Sequence, residues 1–259
     1  RETLLYLHNI LEDMYIEARQ CAEYGGIVQK AIRFLGRWDM EQAESIRQMQ
    51  EYAEQELGVS GEEFEREYRR QHADIKKRLG TDDATIHSRS IRIQNMLEHW
   101  GKPLFPHVTK LYHAYWDTLH AVSEPEPGSI EAVRSLREMG VRVGIGSDMT
   151  FRMQYEKLGK FGFGPYINHM VTSQEAGHEK PHPDFMALCI EKAGCRPDEI
   201  VFMGDNFRKD VEGSVLAGMH GVWYRAKEKP LPEDAKIGPE SYQIIRHYDE
   251  LIPYIKSIR

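Results

Sequence analysis

The sequence has little cysteine and no pairing pattern for it. Cys21, Cys189 and Cys195 are odd in number and no C-x-x-C spacing joins them, which argues against a disulfide framework or a zinc ribbon. They read as partly buried, inert thiols in a reducing setting, so a cytoplasmic location is expected. No apolar run approaches the ~20 residues that a membrane span requires, and no charged-then-apolar leader is evident. A start at Arg1 instead of Met leads us to expect a trimmed chain. A basic excess is missing as well: 34 Lys and Arg stand against 41 Asp and Glu, a net charge of -7. Nucleic acid and anionic membrane are therefore not expected partners, since both need a cationic face. Internal repeats and low-complexity segments are absent. The 259 residues suffice for one large or two moderate domains, either with a good core.

What is scarce also divides the chain. From about 14 to 122, β-branched runs are nearly absent and the only prolines are Pro103 and Pro106. Glu, Gln, Arg, Ala and Met dominate, and apolar residues recur at helical spacing in Ile32 and Leu35 and in Leu111, Tyr115 and Leu119. Gly25-Gly26, Gly58 and Gly80 read as helix stops, and Ser60 followed by Glu62-Glu63 as a helix start. About five helices are expected here. After Glu124-Pro125-Glu126-Pro127-Gly128 the pattern changes to helices alternating with short apolar strands. The strands fall at Val141–Ile145, His169–Thr172, Ile200–Met203, His220–Tyr224 and Tyr242–Ile245, with a helix expected over Asp210–Ala217. That alternation predicts a parallel sheet with helices on both faces, a three-layer α/β core. The opening strand, Thr3 to Leu7, has no partner in the helical half and joins this sheet most simply. The expected division is then a core of 1–13 with 123–259 and an inserted helical domain of 14–122.

Ligands of an open parallel sheet bind outside the carboxyl ends of its strands, and four strand ends here carry polar groups. They are Tyr6-Leu7-His8-Asn9, Gly146-Ser147-Asp148, Glu179-Lys180-Pro181 and Gly204-Asp205-Asn206-Phe207-Arg208-Lys209-Asp210. Singly, each has an ordinary explanation: Ser147 as a helix N-cap, Lys180 as a solvated loop lysine, Asp205 and Asp210 as a turn and a cap. Jointly they suit a phosphate ester. Ser147 offers a hydroxyl donor, Lys180 a fixed cation, and Asp205 and Asp210 hard oxygen ligands for Mg²⁺.

At these residues the sequence resembles the haloacid dehalogenase (HAD) superfamily, in its phosphatase-like members with a helical cap inserted after the first strand. Val143-Gly144-Ile145-Gly146-Ser147-Asp148 resembles the second family motif. Ser173 to Pro183 resembles the third, with Lys180 as its lysine, and Gly204 to Asp210 the fourth, an acidic metal loop. The resemblance implies a Rossmann-like core with a cap domain and metal-assisted hydrolysis of a phosphate ester. It also implies a first motif Asp-x-Asp-x-Thr, whose first Asp is the nucleophile and whose second is the acid/base, with a carbonyl on Mg²⁺. Laid on this chain, that motif puts Tyr6 at the nucleophile, His8 at the acid/base and Ile10 at the Thr. All three side chains that carry the chemistry are changed.

Three outcomes remain open. Tyr6 and His8 can simply fill the space of the missing carboxylates, leaving a module that holds a small phosphorylated or anionic ligand or a partner protein. His8 can serve a repurposed reaction, as nucleophile, acid/base or ligand, and with Asp205 and Asp210 it would favour Zn²⁺, Mn²⁺ or Fe over Mg²⁺. The changes can also be an introduced inactivation. Tyr6 itself is a poor nucleophile, because a phenol with a pKa near ~10 stays protonated at neutral pH. Ordinary phosphatase activity is therefore not expected. The candidate catalytic residues are Tyr6, His8 and Lys180; the candidate phosphate ligands are Ser147, Asp148 and Lys180; the candidate metal ligands are His8, Asp205 and Asp210.

Overall fold

The computed structural model describes residues 4–8, 37–80, 83–225 and 230–258, with residues 4–8 and 37–41 described as backbone. Cys21, Gly25-Gly26, Ile32 and Leu35 lie outside the described residues. The chain divides into two compact units, one built around Pro125–Arg259 with the first strand, the other helical and ending at Glu124.

The first strand, β1, is Leu4–His8. The described helices of the second unit are α1 (Arg37–Tyr52), α2 (Gly61–Leu79), α3 (Arg89–His99) and α4 (His107–Val122). Gly58 and Gly80 end helical segments, and the Ser60 hydroxyl accepts the Glu63 amide to open α2. Leu111, Tyr115, Trp116 and Leu119 form the buried stripe of α4, and α1 packs on that helix. This core also encloses polar groups. His72 is buried on α2 and its Nδ1 accepts a hydrogen bond from the Arg92 guanidinium of α3. Burial, and then the positive charge of Arg92, push the His72 pKa down to about 3, so the ring is neutral.

The first unit continues through α5 (Ser129–Glu138), β2 (Arg142–Ser147), α6 (Phe151–Lys160), β3 (His169–Thr172), α7 (Pro183–Ala193), β4 (Ile200–Gly204), β5 (His220–Tyr224), β6 (Tyr242–Ile245) and α8 (Leu251–Ile258). The six strands form one sheet in the order β3-β2-β1-β4-β5-β6, and every pairing is parallel. Strands buried on both faces need apolar residues throughout, and β4 is buried at all five positions. Its side chains alternate: Val201 and Met203 pack with Val133, Leu136, Leu251 and Ile255 from α5 and α8. Ile200 and Phe202 pack on the opposite face with Phe185, Met186 and Cys189 from α7. On that face Gly146 of β2 lies under the Phe202 ring, where an added Cβ would stand 3.0 Å from it.

The segment after β4 differs from its expected form. The helix begins at Phe207 with a wide π-type turn running to Glu212, followed by a short α-turn, Gly213–Leu216. Asn206 is its cap, accepting the Lys209 amide, and Asp210 is already inside the first turns. An amide cap served as well as an acidic one, and the sequence pattern alone did not separate them.

Candidate functional site

The sheet order makes β1 central, with β2 and β4 on either side. Chain direction reverses its progress across the sheet here: β2 and β3 lie to one side of β1, β4 to β6 to the other. The carboxyl ends of β1, β2 and β4 therefore meet at the topological switch point, where open α/β sheets form their crevice. Tyr6 pairs in register with Gly144 and Phe202, and His8 with Gly146, one residue before Ser147. Both stand on the central strand at this edge; their side chains lie outside the described residues, as do Ile10, Glu12 and Asp13.

Lys180 is not a solvated loop residue. Its side chain and that of Asp210 are both 0% exposed, and Nζ lies 3.0 Å from Asp210 Oδ1. The second oxygen of Asp210 accepts the Asn206 amide at 3.0 Å. Asp210 can lie this close to the strand end because Gly204 has no side chain: a Cβ there would stand 2.3 Å from the carboxylate carbon. Lys180 arrives by a loop with its own local logic. Thr172 caps a four-residue helical turn, Ser173–Ala176, and Gly177 ends it at φ 78°. The Lys180 amide then donates to Asp148 Oδ1 at 3.0 Å.

Asp148 is a joint between segments. Its Oδ2 receives Lys209 Nζ at 2.9 Å, and its carbonyl receives the Ser173 hydroxyl at 2.9 Å. Lys209 also reaches Glu179 Oε2 at 3.2 Å. Asp148 and Glu179 are only 5% and 3% exposed. Ser147, fully buried, accepts the Met149 amide and keeps its own hydroxyl proton to donate. It does not cap α6, whose N-cap is Thr150. Asp205 is half-buried at the end of β4, with its carbonyl held by the Trp223 indole N–H at 3.0 Å.

The structure thus gathers Ser147, Asp148, Lys180, Asp205 and Asp210 at one sheet edge and adds three residues that sequence reasoning assigned no role. Lys209 and Glu179 join two motif segments, and Asn206 caps the acidic loop. Lys209 precedes Asp210 directly, and Glu179 precedes Lys180. Neighbours of a buried ion pair are where such supports arise, but nothing in their spacing marks which way they point.

A parallel sheet whose switch point carries a hydroxyl, a buried lysine and an acidic loop defines an open-sheet α/β protein with a polar crevice. Residues 40–224 match the family model described as haloacid dehalogenase-like hydrolase, and the chain belongs to that family. The matched range begins after β1. A ribulose-1,5-bisphosphate 5-phosphatase of Halopiger xanaduensis is 29% identical over 178 residues, 68% of this chain and 74% of the relative. A glyceraldehyde 3-phosphate phosphatase of Methanopyrus kandleri is 37% identical over 112 residues, 43% of this chain. The chain spans about half the length of that second relative, 48%. Among solved structures, a 2-haloacid dehalogenase from Pseudomonas syringae shares the fold with a TM-score of 0.73 at 14% identity, over 99% of both chains.

Proposed function

We propose that this family member binds a small phosphorylated ligand at the carboxyl edge of its sheet and lacks ordinary phosphomonoesterase turnover. The observation that carries the reading is the contrast between a retained support and a changed first strand. The buried Lys180–Asp210 pair and its Asp148 tether are in place, while the motif resemblance sets Tyr6 and His8 of β1 where two aspartates are expected. In this reading Lys180 and the Ser147 hydroxyl hold the phosphate, and Asp148 holds the Lys180 backbone.

A divalent cation fits the donor set. Among the described residues of the site, four carboxylates (Asp148, Glu179, Asp205, Asp210) stand against two ammonium groups (Lys180, Lys209). The formal excess of negative charge would repel a phosphate unless a cation accompanies it. Asp205 and Asp210 offer hard oxygen, which suits Mg²⁺, and Asp210 is already oriented by Lys180 and Asn206. The cation would neutralise phosphate charge. A preference for Zn²⁺, Mn²⁺ or Fe would rest on the His8 ring.

The test has two arms. With Mg²⁺ present, glyceraldehyde 3-phosphate or inorganic phosphate should raise the melting temperature, and Ser147→Ala should weaken that shift. p-Nitrophenyl phosphate should not turn over, whereas Tyr6→Asp with His8→Asp and Ile10→Thr should gain activity. Turnover by the unaltered chain comparable with an active relative sinks the proposal. Activity that survives Tyr6→Phe and disappears in His8→Ala would instead support a histidine-based reaction.

A further inference from the structure

The segment that delivers Lys180 to the site carries a second group of ligating atoms on its solvent side. His178 and His182 stand two residues before and two residues after Lys180, and Asp184 follows in the first turn of α7. One ligand atom from each of the three lies within 4.8 Å of the others, and among the described residues no other trio of His, Cys, Asp or Glu does so. Asp184 Oδ2 is 3.8 Å from His178 Nε2 and 3.7 Å from His182 Nδ1. A tetrahedral ion with bonds of ~2.0–2.1 Å places its ligands roughly 3.4 Å apart, so these edges are long by only a few tenths of an ångström. The side chains are 37%, 31% and 68% exposed, whereas that of Lys180 is fully buried. The loop therefore has an inner face given to the site described above and an outer face open to solvent.

We propose that His178, His182 and Asp184 bind a transition metal of the Zn²⁺ class, separate from the oxygen-lined sheet edge. Two imidazoles and one carboxylate form the donor set that Zn²⁺, Co²⁺ and Ni²⁺ take and that Mg²⁺ avoids, with water completing the shell. The local hydrogen bonding already selects the right tautomer. His182 Nδ1 accepts the Asp184 amide at 3.2 Å, so its lone pair is unprotonated and lies on the side of Asp184. Binding exchanges that long bond for a metal bond, and the freed amide sits at an exposed residue where water replaces the acceptor. The two rings are stacked, with centroids 3.7 Å apart and planes 12° apart. Parallel rings point their lone pairs side by side, so one ring turns about χ2 to converge on the ion. The bound ion would tie both ends of the Lys180 segment together from outside.

Cobalt(II) titration of the full chain, read by visible absorption and competed with Zn²⁺, tests this directly. One low-coordinate Co²⁺ site is expected, unchanged in Asp205→Asn and weakened at least tenfold in His178→Ala and in Asp184→Asn, as expected for loss of a ligand. His182→Asn, which keeps a capping side chain, should weaken it equally while the melting temperature of the metal-free protein stays put. Binding by His178→Ala and Asp184→Asn equal to that of the unaltered chain overturns the proposal, as does a signal abolished by Asp205→Asn alone.

Discussion

Replacing Asp210 by Asn isolates the charge of the buried pair from its shape. The amide retains an oxygen for the Asn206 N–H and fits the space beside Gly204, but Lys180 loses its carboxylate in a place with no solvent exposure. Removing one partner of a buried pair leaves an uncompensated charge and costs about 3–5 kcal/mol. At about 2–4 °C per kcal/mol for a unit of this size, a loss of ~4 kcal/mol lowers the melting temperature by roughly 8–16 °C. Lys180→Met should cost a similar amount, since the buried Asp210 carboxylate then loses the ammonium charge beside it. The double variant removes both charges, and its cost should fall short of the sum of the singles by at least ~2 kcal/mol. Urea unfolding of the four proteins, followed by far-UV circular dichroism, gives the coupling. Single losses below ~1 kcal/mol with additive effects would refute the reasoning, because they would mean that water or another charge compensates each partner.

Two further predictions concern the frame around the site and the helical unit. Gly204→Ala, whose new Cβ would meet the Asp210 carboxyl at 2.3 Å, should cost about 1–3 kcal/mol or more, whereas Gly159→Ala in α6, with nothing within 4 Å, should gain up to ~1 kcal/mol; equal urea midpoints for the two would refute the cradle. His72 has a folded-state pKa near 3, below its ordinary value, so above pH ~6.5 it is neutral in both states. As pH falls below that, the unfolded chain takes up a proton the folded one refuses, and stability declines by about 1.4 kcal/mol per unit toward pH ~3. Between pH 7 and 5 the loss should reach ~2 kcal/mol and be smaller in His72→Gln; identical slopes in urea unfolding would refute it.

The sheet was legible because its strands are short apolar runs bounded by turn residues, and β3, β5 and β6 fall where the pattern places them. The Ser60 cap and the Gly58 and Gly80 stops were legible for the same local reasons. Lys180 and Asp210 were found as members of a pattern, but their mutual burial was not, because thirty residues and a full strand separate them in sequence. The roles of Lys209 and Glu179 were invisible for a related reason: a lysine beside an aspartate is usually a solvated charge, and only the fold turns it toward Asp148. The π-type turn at Phe207–Glu212 was missed because its first turn carries Arg208 and Lys209, which hide the helical apolar spacing. The His178–His182–Asp184 trio sits in plain sight within seven residues, overshadowed by the lysine in its middle.

The place of β1 between β2 and β4 also sets an order of assembly. Leu7 pairs with Met203, about 200 positions further along the chain, so the central strand is made well before one of its two neighbours and is enclosed only after it. During synthesis the helical segment that follows it can collapse on local contacts, but β1 must wait with both edges unpaired until β2 and β4 emerge. Substitutions that make those five residues more prone to pair with strangers should therefore depress the yield of soluble protein before they change the stability of the finished fold. The strand at the centre of the sheet is, for the folding chain, a liability carried until β4 is made.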